Sequence, residues 1–328
     1  MIPPSRAWPI QFVLALALVS PPPAFAQAPV YPSRAVSIIV GTEPGGAPDI
    51  LARLLATRLA DKFGKQFIVE NKPGAAGMVG ARLAAAAPAD GHTLFLGTVS
   101  TNAIVASAYK QAGYDPATSF APVSMLASVP LIVVVNPSLG VSTLDEFVRL
   151  AKSKPGALNY STPGIGGPQH LSTELFAAKA GIKLVHIPYK GGAGAVQAVL
   201  ANEVAVFFSG MPPALPHIRA DKLKALAVTT KARASAAPST PTIGDAGYPG
   251  FEADNWHAMF APAATPDAVV TRLNEALTQI LALPEVKEQM LRSGAEAMAS
   301  TPAALRQFVE LEIRKWAQVV KQAGIEAQ

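Results

Sequence analysis

Short apolar runs alternate with helix-like patterns along the first part of the chain. Residues 36–40 (VSIIV) form an apolar run with the length of a buried strand. After two glycines, apolar residues recur at helical spacing through residues 50–59, and residues 66–70 (QFIVE) predict a second strand. An alanine-rich helix over 78–87 and a third strand over 93–97 complete a βαβαβ order. This order predicts a parallel sheet covered by helices on both faces.

The same alternation starts again near residue 129. The longest apolar run, residues 129–136 (VPLIVVVN), predicts a strand. The following elements are predicted in chain order: helix 144–152, strand 157–160, helix 171–179, strand 184–187, helix 194–201, and strands 204–209 and 225–229. Residues 232–250, rich in Pro, Ser, Thr and Gly, predict an irregular segment on the surface. A strand over 253–261 and two amphipathic helices then complete the chain.

The repeated pattern predicts an α/β protein of two lobes, each a mostly parallel sheet flanked by helices. The runs near 129–135 and 253–260 are candidates for two segments that cross between the lobes and form a hinge. We therefore expect residues 27–128 and 253–328 to form lobe 1, and residues 129–252 to form lobe 2. Ligand sites in open parallel sheets lie beyond the carboxyl ends of the strands, so chemistry is expected in the cleft between the lobes.

The N-terminus has the three parts of a secretory signal. Arg6 supplies a positive charge, residues 10–19 form an apolar core, and Ala24-Phe25-Ala26 is an A-x-A cleavage site. The alternative, a transmembrane anchor, requires about 20 apolar residues. We therefore expect cleavage after Ala26 and export to the periplasm.

Composition narrows the function further. The 328 residues include no cysteine, which excludes disulfides, a thiolate metal site, a cysteine nucleophile and a lipid-modified cysteine anchor. The formal net charge is +5, and no dense run of Lys and Arg predicts a nucleic-acid surface. We expect a monomer with no nucleic-acid partner and no covalent membrane anchor.

Glycine-rich or hydroxyl-rich loops follow four of the predicted strands. In the first, Gly45 and Gly46 allow close approach of a ligand, and Pro48 suits a first helical turn. Free amides there form an anion site, while Asp49 either caps the backbone or accepts a bond from the ligand. Comparable loops lie at 98–102, 161–170 and 189–194. About six amide donors, at roughly 1.5–3 kcal/mol each, could hold a carboxylate without arginine.

At these loops the chain resembles the Bug (TctC-type) family, the substrate-binding proteins of tripartite tricarboxylate transporters. The likeness runs from residue 31 to the C-terminus. It rests on these segments: Gly45-Gly46 followed by 49–53 (DILAR), 69–75 (VENKPGA), 89–94 (ADGHTL), 120–123 (FAPV), 154–156 (KPG), 169–171 (QHL), 188–192 (PYKGG) and 214–218 (ALPHI).

The resemblance implies a two-lobed periplasmic-binding-protein type II fold. It also implies a receptor that needs no cofactor or metal, binds a small organic carboxylate between its lobes and delivers it to the membrane components of the transporter. Carried over by position, the ligand contacts are Gly45, Gly46, Ala47, Asp49, Thr98, Ser100, Thr101, Asn102, Thr162, Gly164, Gly166, His170 and Gly191.

The chain departs from the family pattern at several positions in its loops and in the predicted strand 204–209. Gly167 replaces a common Ser or Thr, Ala205 and Ser209 replace frequent Asp residues, and Glu43 and Pro48 stand where small or hydroxyl residues are usual. We hypothesise that the loss of two acidic side chains disfavours ligands that carry an amine.

Other classes of function remain as alternatives. A secreted hydrolase would need an elbow such as G-x-S-x-G, which is absent, and no H-E-x-x-H pattern supports zinc. Residues 74–80 read G-x-x-G-x-x-G, which is not a dinucleotide fingerprint. His170 could act as a base, although a bond within its own loop is the simpler reading. A ligand sensor for a two-component system would use the same closure, and Trp256 is expected to report it by fluorescence.

Overall fold

The structure is a computed structural model that describes residues 1, 31–189, 191–325 and 327. The predicted signal peptide and its cleavage site lie outside the described residues. Residues from Tyr31 onward form one compact unit with two β-sheets.

The first sheet has six strands. They are β1 (Val36–Val40), β2 (Phe67–Asn71), β3 (Thr93–Thr98), β4 (Phe120–Ser128), β10 (His257–Pro262) and β11 (Glu296–Ala297), in the spatial order β11-β4-β10-β3-β1-β2. The strands β1, β2 and β3 are parallel, with Ile38 aligned with both Val69 and Leu94. Because β1 is covered on both faces, four of its five residues are buried.

Six helices flank this sheet: α1 (Ala47–Phe63), α2 (Met78–Ala85), the short α3 (Val105–Ala108), α8 (Asp267–Ala282), α9 (Pro284–Arg292) and α10 (Pro302–Gln322). One apolar core packs α1 and α8 against the sheet through residues such as Leu55, Leu59, Leu273 and Leu277, all fully buried. These residues recur at helical spacing, which is why the sequence pattern located both helices.

The second sheet has five strands: β5 (Leu131–Val135), β6 (Asn159–Thr162), β7 (Val185–Pro188), β8 (Val206–Gly210) and β9 (Lys224–Val228), in the order β7-β6-β8-β5-β9. Its helices are α4 (Leu144–Ser153), α5 (Pro168–Ala180), α6 (Gly191–Leu200) and α7 (Met211–Arg219). Every residue of β5 is fully buried, as expected for a central strand with helices on both faces.

The chain passes between the sheets at two places that lie side by side. Only residues 129 and 130 separate β4 in the first sheet from β5 in the second. The return passage precedes β10, and an antiparallel bridge joins Pro130 in the first passage to Asp254 in the second. Thr229 adds to this junction, because its hydroxyl donates to the Ala253 carbonyl at 2.6 Å and accepts from the Leu131 amide at 3.2 Å. Two adjacent passages are the arrangement expected of a hinge.

Each sheet contains an internal antiparallel strand that the predicted parallel pattern did not include. In the first sheet β10 runs antiparallel to both β3 and β4, and in the second β5 runs antiparallel to both β8 and β9. Both strands follow a passage directly, so the chain enters each sheet from the side of the other. The sheets are therefore mixed, although most of their strands share one direction.

The elements absent from the sequence prediction include β4, α7 and α9. The strand β4 is buried throughout, yet its small and polar residues hid the apolar run. The helix α7 carries Pro212, Pro213 and Pro216, which argue against a helix by composition. The first two prolines occupy the opening turn, where no amide donor is needed. The C-terminal region holds three helices rather than two, because Pro284 starts α9 immediately after α8.

Candidate ligand-binding cleft

A cavity of about 710 Å³ lies between the two sheets and receives residues from both sides. The first sheet and its helices contribute the loop after β1, the end of β3, the residues around His257 and part of α9. The second contributes the starts of α5, α6 and α7, and Val129 lies at the first passage. The volume is in the range of small-molecule sites, which are mostly apolar with a few placed polar groups.

Four helices begin at this cavity. The first-turn residues Ala47 of α1, Pro168 of α5, Gly192 of α6 and Pro212 of α7 all line it. In α1, α5 and α7 the N-cap is glycine, and no side chain caps the helix. Uncapped first turns leave the amides of their non-proline residues available and place the positive ends of the helix dipoles at the cavity, although Pro48, Pro168, Pro212 and Pro213 supply no amide hydrogen. The arrangement therefore suits an anion.

Asp49 organises the first loop from inside. Its carboxylate accepts hydrogen bonds from the Gly45 amide at 2.9 Å, from Asn71 at 2.9 Å and from Arg53 at 3.0 Å. Burial alone would raise the pKa of Asp49, but the bonds from Arg53, Gly45 and Asn71 hold it below its ordinary value. The Asp49 carboxylate therefore ties the first loop to α1 and to the end of β2, and Asp49 is not among the residues that line the cavity.

The second loop is held by a chain of hydroxyl bonds. The Thr98 amide donates to the Thr101 hydroxyl at 3.0 Å, and that hydroxyl donates to the side-chain oxygen of Asn102 at 2.8 Å. Thr101 and Asn102 are buried residues of a π-helical turn (Ser100–Ile104), while Thr98 and Ser100 line the cavity. The turn thus divides the loop into an inner anchoring pair and an outer pair available to a ligand.

Glycine contacts bring the first and second loops together. A Cβ on Gly77 would lie 2.8 Å from the Cγ2 atom of Thr101, and Gly77 has a φ of +93°. A Cβ on Gly41 would in turn lie 2.8 Å from the Cα atom of Gly77. Side chains at these positions would separate the two loops, so the close approach depends on glycine.

A stack of rings supports the third loop. The rings of His170 and His186 are parallel with centroids 4.0 Å apart, and Tyr160 stacks on His186 at 4.9 Å. The Nδ1 atom of His170 accepts the Gly166 amide at 3.0 Å, and the Nε2 atom of His186 lies 2.6 Å from the Thr162 hydroxyl. Burial, with a smaller contribution from His186, lowers the pKa of His170 to about 4. His170 is therefore a neutral part of the loop's internal bonding and does not border the cavity.

The structure separates the predicted contacts into two groups. The residues that line the cavity are Gly45, Gly46, Ala47, Thr98, Ser100 and Gly191. The residues that do not line the cavity are Asp49, Thr101, Asn102, Thr162, Gly164, Gly166 and His170. Most of the second group bond to their own loops, as short polar side chains near turns commonly do. Ligand contact remains a prediction for both groups.

Several cavity residues were not singled out from the sequence. Asn255 and His257 lie at the second passage, Pro212 and Pro213 at the start of α7, and Gln289 on α9. The only sequence signal was the position of Asn255 and His257 at a predicted crossing, where a cleft between lobes must close. The residues on α7 and α9 had no such signal in the sequence, because the sequence prediction included neither helix.

Two other kinds of site have no support in the described part of the chain. No three His, Asp or Glu side chains there come together as metal ligands. None of the helices described is long and apolar enough to cross a membrane.

Two mixed sheets, paired passages and a cleft at helix starts together define a two-lobed periplasmic binding protein. The sequence-family model described as tripartite tricarboxylate transporter family receptor (TctC) matches residues 51–325 of this chain. The chain therefore belongs to the TctC (Bug) family of periplasmic solute-binding proteins.

Individual relatives agree with this assignment. The chain is similar to Protein BugT of Bordetella pertussis, with 37% identity covering 90% of this chain and 91% of BugT. It is similar to R. palustris Rpa4515, solved with adipate, with 36% identity and a TM-score of 0.81, covering 90% of this chain and 98% of the other. It is also similar to the periplasmic binding protein BugD, with 34% identity and a TM-score of 0.78, covering 91% and 100% of the two chains. These relatives confirm the predicted family and fold.

Proposed function

We propose that the protein is exported to the periplasm, captures a small organic carboxylate in the cleft and delivers it to the membrane components of a tripartite transporter. The observation that carries this proposal is the convergence of four helix starts on one cavity, three of them without a side-chain cap. The role is that of a receptor rather than an enzyme.

Charge and hydrogen bonding favour an acid as the ligand. Among the described residues that line the cavity none is Lys or Arg, and Glu43 is the one carboxylate. Among these described residues, the positive field comes mainly from backbone amides and helix dipoles. Hydrogen bonds to a charged group contribute roughly 1.5–3 kcal/mol each, and a helix start adds roughly 0.3–1 kcal/mol. Micromolar affinity needs about 8 kcal/mol net, which six or so donors supply after the cost of association.

The two chain segments that connect the lobes would allow the lobes to close over a ligand. We propose that residues 129–130 and the segment around Asp254 act as the hinge, with residues 27–128 and 253–328 as one lobe and 129–252 as the other. A ligand held by helix starts from both lobes stabilises the closed form, because donors from only one side reach it in the open form. Adipate bound to the similar protein Rpa4515 supports a carboxylate as the ligand class.

A binding screen on residues 27–328 tests the proposal. Organic acids that bind only the folded protein raise its stability by about 2.7 kcal/mol at a hundredfold excess over the dissociation constant. Thermal shift would identify candidate acids, and isothermal titration calorimetry would measure their affinity. Aspartate and glutamate belong in the panel, because the missing acidic side chains predict that they bind more weakly than succinate or citrate.

Two exposed alanines at opposite ends of α6 provide matched variants. Ala193 lines the cavity, and Ala201 follows the last turn of the same helix, away from the cavity. Ala193→Trp is expected to weaken acid binding by at least tenfold, while Ala201→Trp retains the wild-type affinity. Equal affinity in both variants would contradict a site in the cleft, and a panel without any binding acid would overturn the proposed ligand class. Delivery is tested by acid uptake in cells with and without the transporter's membrane components.

A further inference from the structure

His257 occupies a place that the proposed function does not explain. It is the first residue of β10 and pairs with Thr98, whose loop lines the cavity. His257 lies three residues after Asp254, and Asp254 forms the bridge to Pro130 that joins the two passages. His257 also lines the cavity itself, beside Asn255. An imidazole therefore stands at the junction of the hinge and the cleft.

The bonding of His257 is incomplete within the described chain. The residue is only 2% exposed, and its Nδ1 atom has no hydrogen-bond partner there. The hydroxyl of Thr42, which lines the same cavity from the first loop, is also buried without a partner. A buried polar atom without a partner is unfavourable, and such atoms in native proteins call for a specific explanation. Of the five such atoms in the described residues, these two belong to residues that line one cavity, where a ligand is an available source of the missing bonds.

The histidines of the third loop and the neighbouring strand, His170 and His186, behave differently. The Nδ1 atom of His170 accepts the Gly166 amide, and the Nε2 atom of His186 bonds the Thr162 hydroxyl. Both rings hold their own loop together and neither lines the cavity. His257 has the opposite combination, a place in the cavity wall and an unused ring nitrogen.

We propose that His257 is a specificity-determining residue whose imidazole hydrogen-bonds a hydroxyl group of the bound acid, so that the receptor prefers hydroxycarboxylates to the matching acids without the hydroxyl. This inference rests on the proposed function, because it names the class of acid for the same cleft. A hydroxyl both donates and accepts, so it can pair with a ring nitrogen in either tautomer and with the Thr42 hydroxyl.

A second carboxylate fits this position less well. It only accepts hydrogen bonds, so it would pair best with a charged imidazolium. Burial lowers the pKa of His257 to about 4, and a weaker interaction with the Asn255 backbone opposes the shift. The ring is therefore neutral at physiological pH, and the hydroxyl is the better complement.

Calorimetry at pH 7.5 with matched acids tests the proposal. The pairs are malate with succinate, citrate with tricarballylate, and mandelate with phenylacetate. The proteins are the wild type, His257→Phe, His257→Asn and the control His92→Phe. His92 is also buried, but it bonds Ser33 and does not line the cavity. Thermal unfolding of each variant establishes that it is folded.

In at least one pair, the wild type is expected to bind the hydroxy acid about tenfold more tightly, a factor equal to about 1.4 kcal/mol. His257→Phe should remove this preference while binding of the acid without the hydroxyl changes little. His257→Asn should keep part of it, because the amide retains hydrogen-bonding atoms near the Nδ1 position. His92→Phe should keep all of it.

A wild-type protein that binds these acids without preferring the hydroxyl would overturn this inference and leave the proposed function standing. The same holds if His257→Phe keeps the full preference. Binding of no acid at all would overturn the proposed function first, and this inference with it. An independent readout is the ¹⁵N NMR signal of the His257 ring, identified by its loss in His257→Asn. Malate should shift it and succinate should not; equal shifts would count against the hydroxyl contact.

Discussion

Replacement of Asp254 by Asn should change how the stability of the protein depends on pH. Asp254 lies at the paired passages, where its carboxylate accepts the Val129 amide at 3.2 Å. Burial, aided by the negative charges of Glu312 and Glu252, raises the pKa of Asp254 to about 6, and bonds from Ser128 and Val129 oppose the shift only in part. The folded protein therefore binds a proton here at a pH where the unfolded chain has released it.

The sign and size of the effect follow from this difference. A raised pKa gives stability that is present at low pH and is lost as pH rises through about 6. Between pH 5 and pH 8 the loss from this one group is about 1.4 kcal/mol, for a pKa that rises from about 3.8 to about 6. Asp254 is half-buried and keeps some contact with water, so this figure is an upper limit.

Urea unfolding at pH 5 and pH 8 measures the effect. Asp254→Asn keeps an oxygen that can accept the Val129 amide but cannot ionise. The variant should therefore gain stability relative to the wild type as pH rises, by up to about 1.4 kcal/mol over this interval. Asp61→Asn, at an exposed position on α1, should follow the wild type at both values. If Asp254→Asn and the wild type showed the same change between pH 5 and pH 8, the proposed environment of the hinge carboxyl would be wrong.

Three further predictions concern the supports of the cleft. Gly77→Ala should lower the free energy of unfolding in urea by about 1–3 kcal/mol, because of its positive φ and its contact with the second loop; Gly140→Ala, also at positive φ but in open space, should lose less, and equal losses would contradict the close approach. The stability due to neutral His170 should be lost as pH falls from 6.5 towards about 4, so His170→Asn should show a shallower acid decline in urea unfolding; an unchanged decline would refute this. Glu312→Leu should lower the free energy of unfolding by about 2 kcal/mol or more, because it leaves the indole N–H groups of Trp256 and Trp316 without their acceptor. An unchanged free energy of unfolding would contradict this role of Glu312.

The structure gives Trp256 a packing role that its sequence position did not predict. Its place near a crossing suggested a reporter of closure, and the structure shows a fully buried indole that donates to Glu312 at 2.8 Å and packs against Phe308. Glu312 also accepts Trp316 from its own helix, at 2.9 Å. The indole thus links the second passage to α10. A fluorescence change on ligand binding stays a prediction, and loss of the signal in Trp256→Phe would assign it.

The predicted elements succeeded where local pattern alone decides structure. Strand β1 matches its apolar run, and α4 begins at Leu144 as the amphipathic spacing indicated. Strand β4 failed because its burial comes from neighbours distant in sequence, β10 and β11. Helix α7 was not predicted because its prolines argue against a helix: Pro212 and Pro213 are tolerated in the first turn, but Pro216 lies inside the helix and removes one of its hydrogen bonds. The strands β5 and β10 run antiparallel to their neighbours because of the direction in which the chain enters each sheet. Hydrophobic periodicity carries no information about that direction.

The candidate site shows the same division. Glycine and hydroxyl patterns located the loops, because a loop that opens onto a helix must leave free amides. They did not separate Ser100, which lines the cavity, from Asn102, which is buried and does not line it. That difference arises from one π-helical turn. His257 was missed as a contact because a lone histidine at a strand start has no local signature, and only the assembled cleft shows its unused nitrogen.

A crystal structure of residues 27–328 with the tightest-binding acid from the screen would show directly how the acid is held. We expect a closed cleft, with a carboxylate group within about 3 Å of backbone amides at helix starts from both lobes, among them the starts of α1 and α6. An acid bound outside the cleft would contradict it, and so would a carboxylate held chiefly by Lys or Arg side chains.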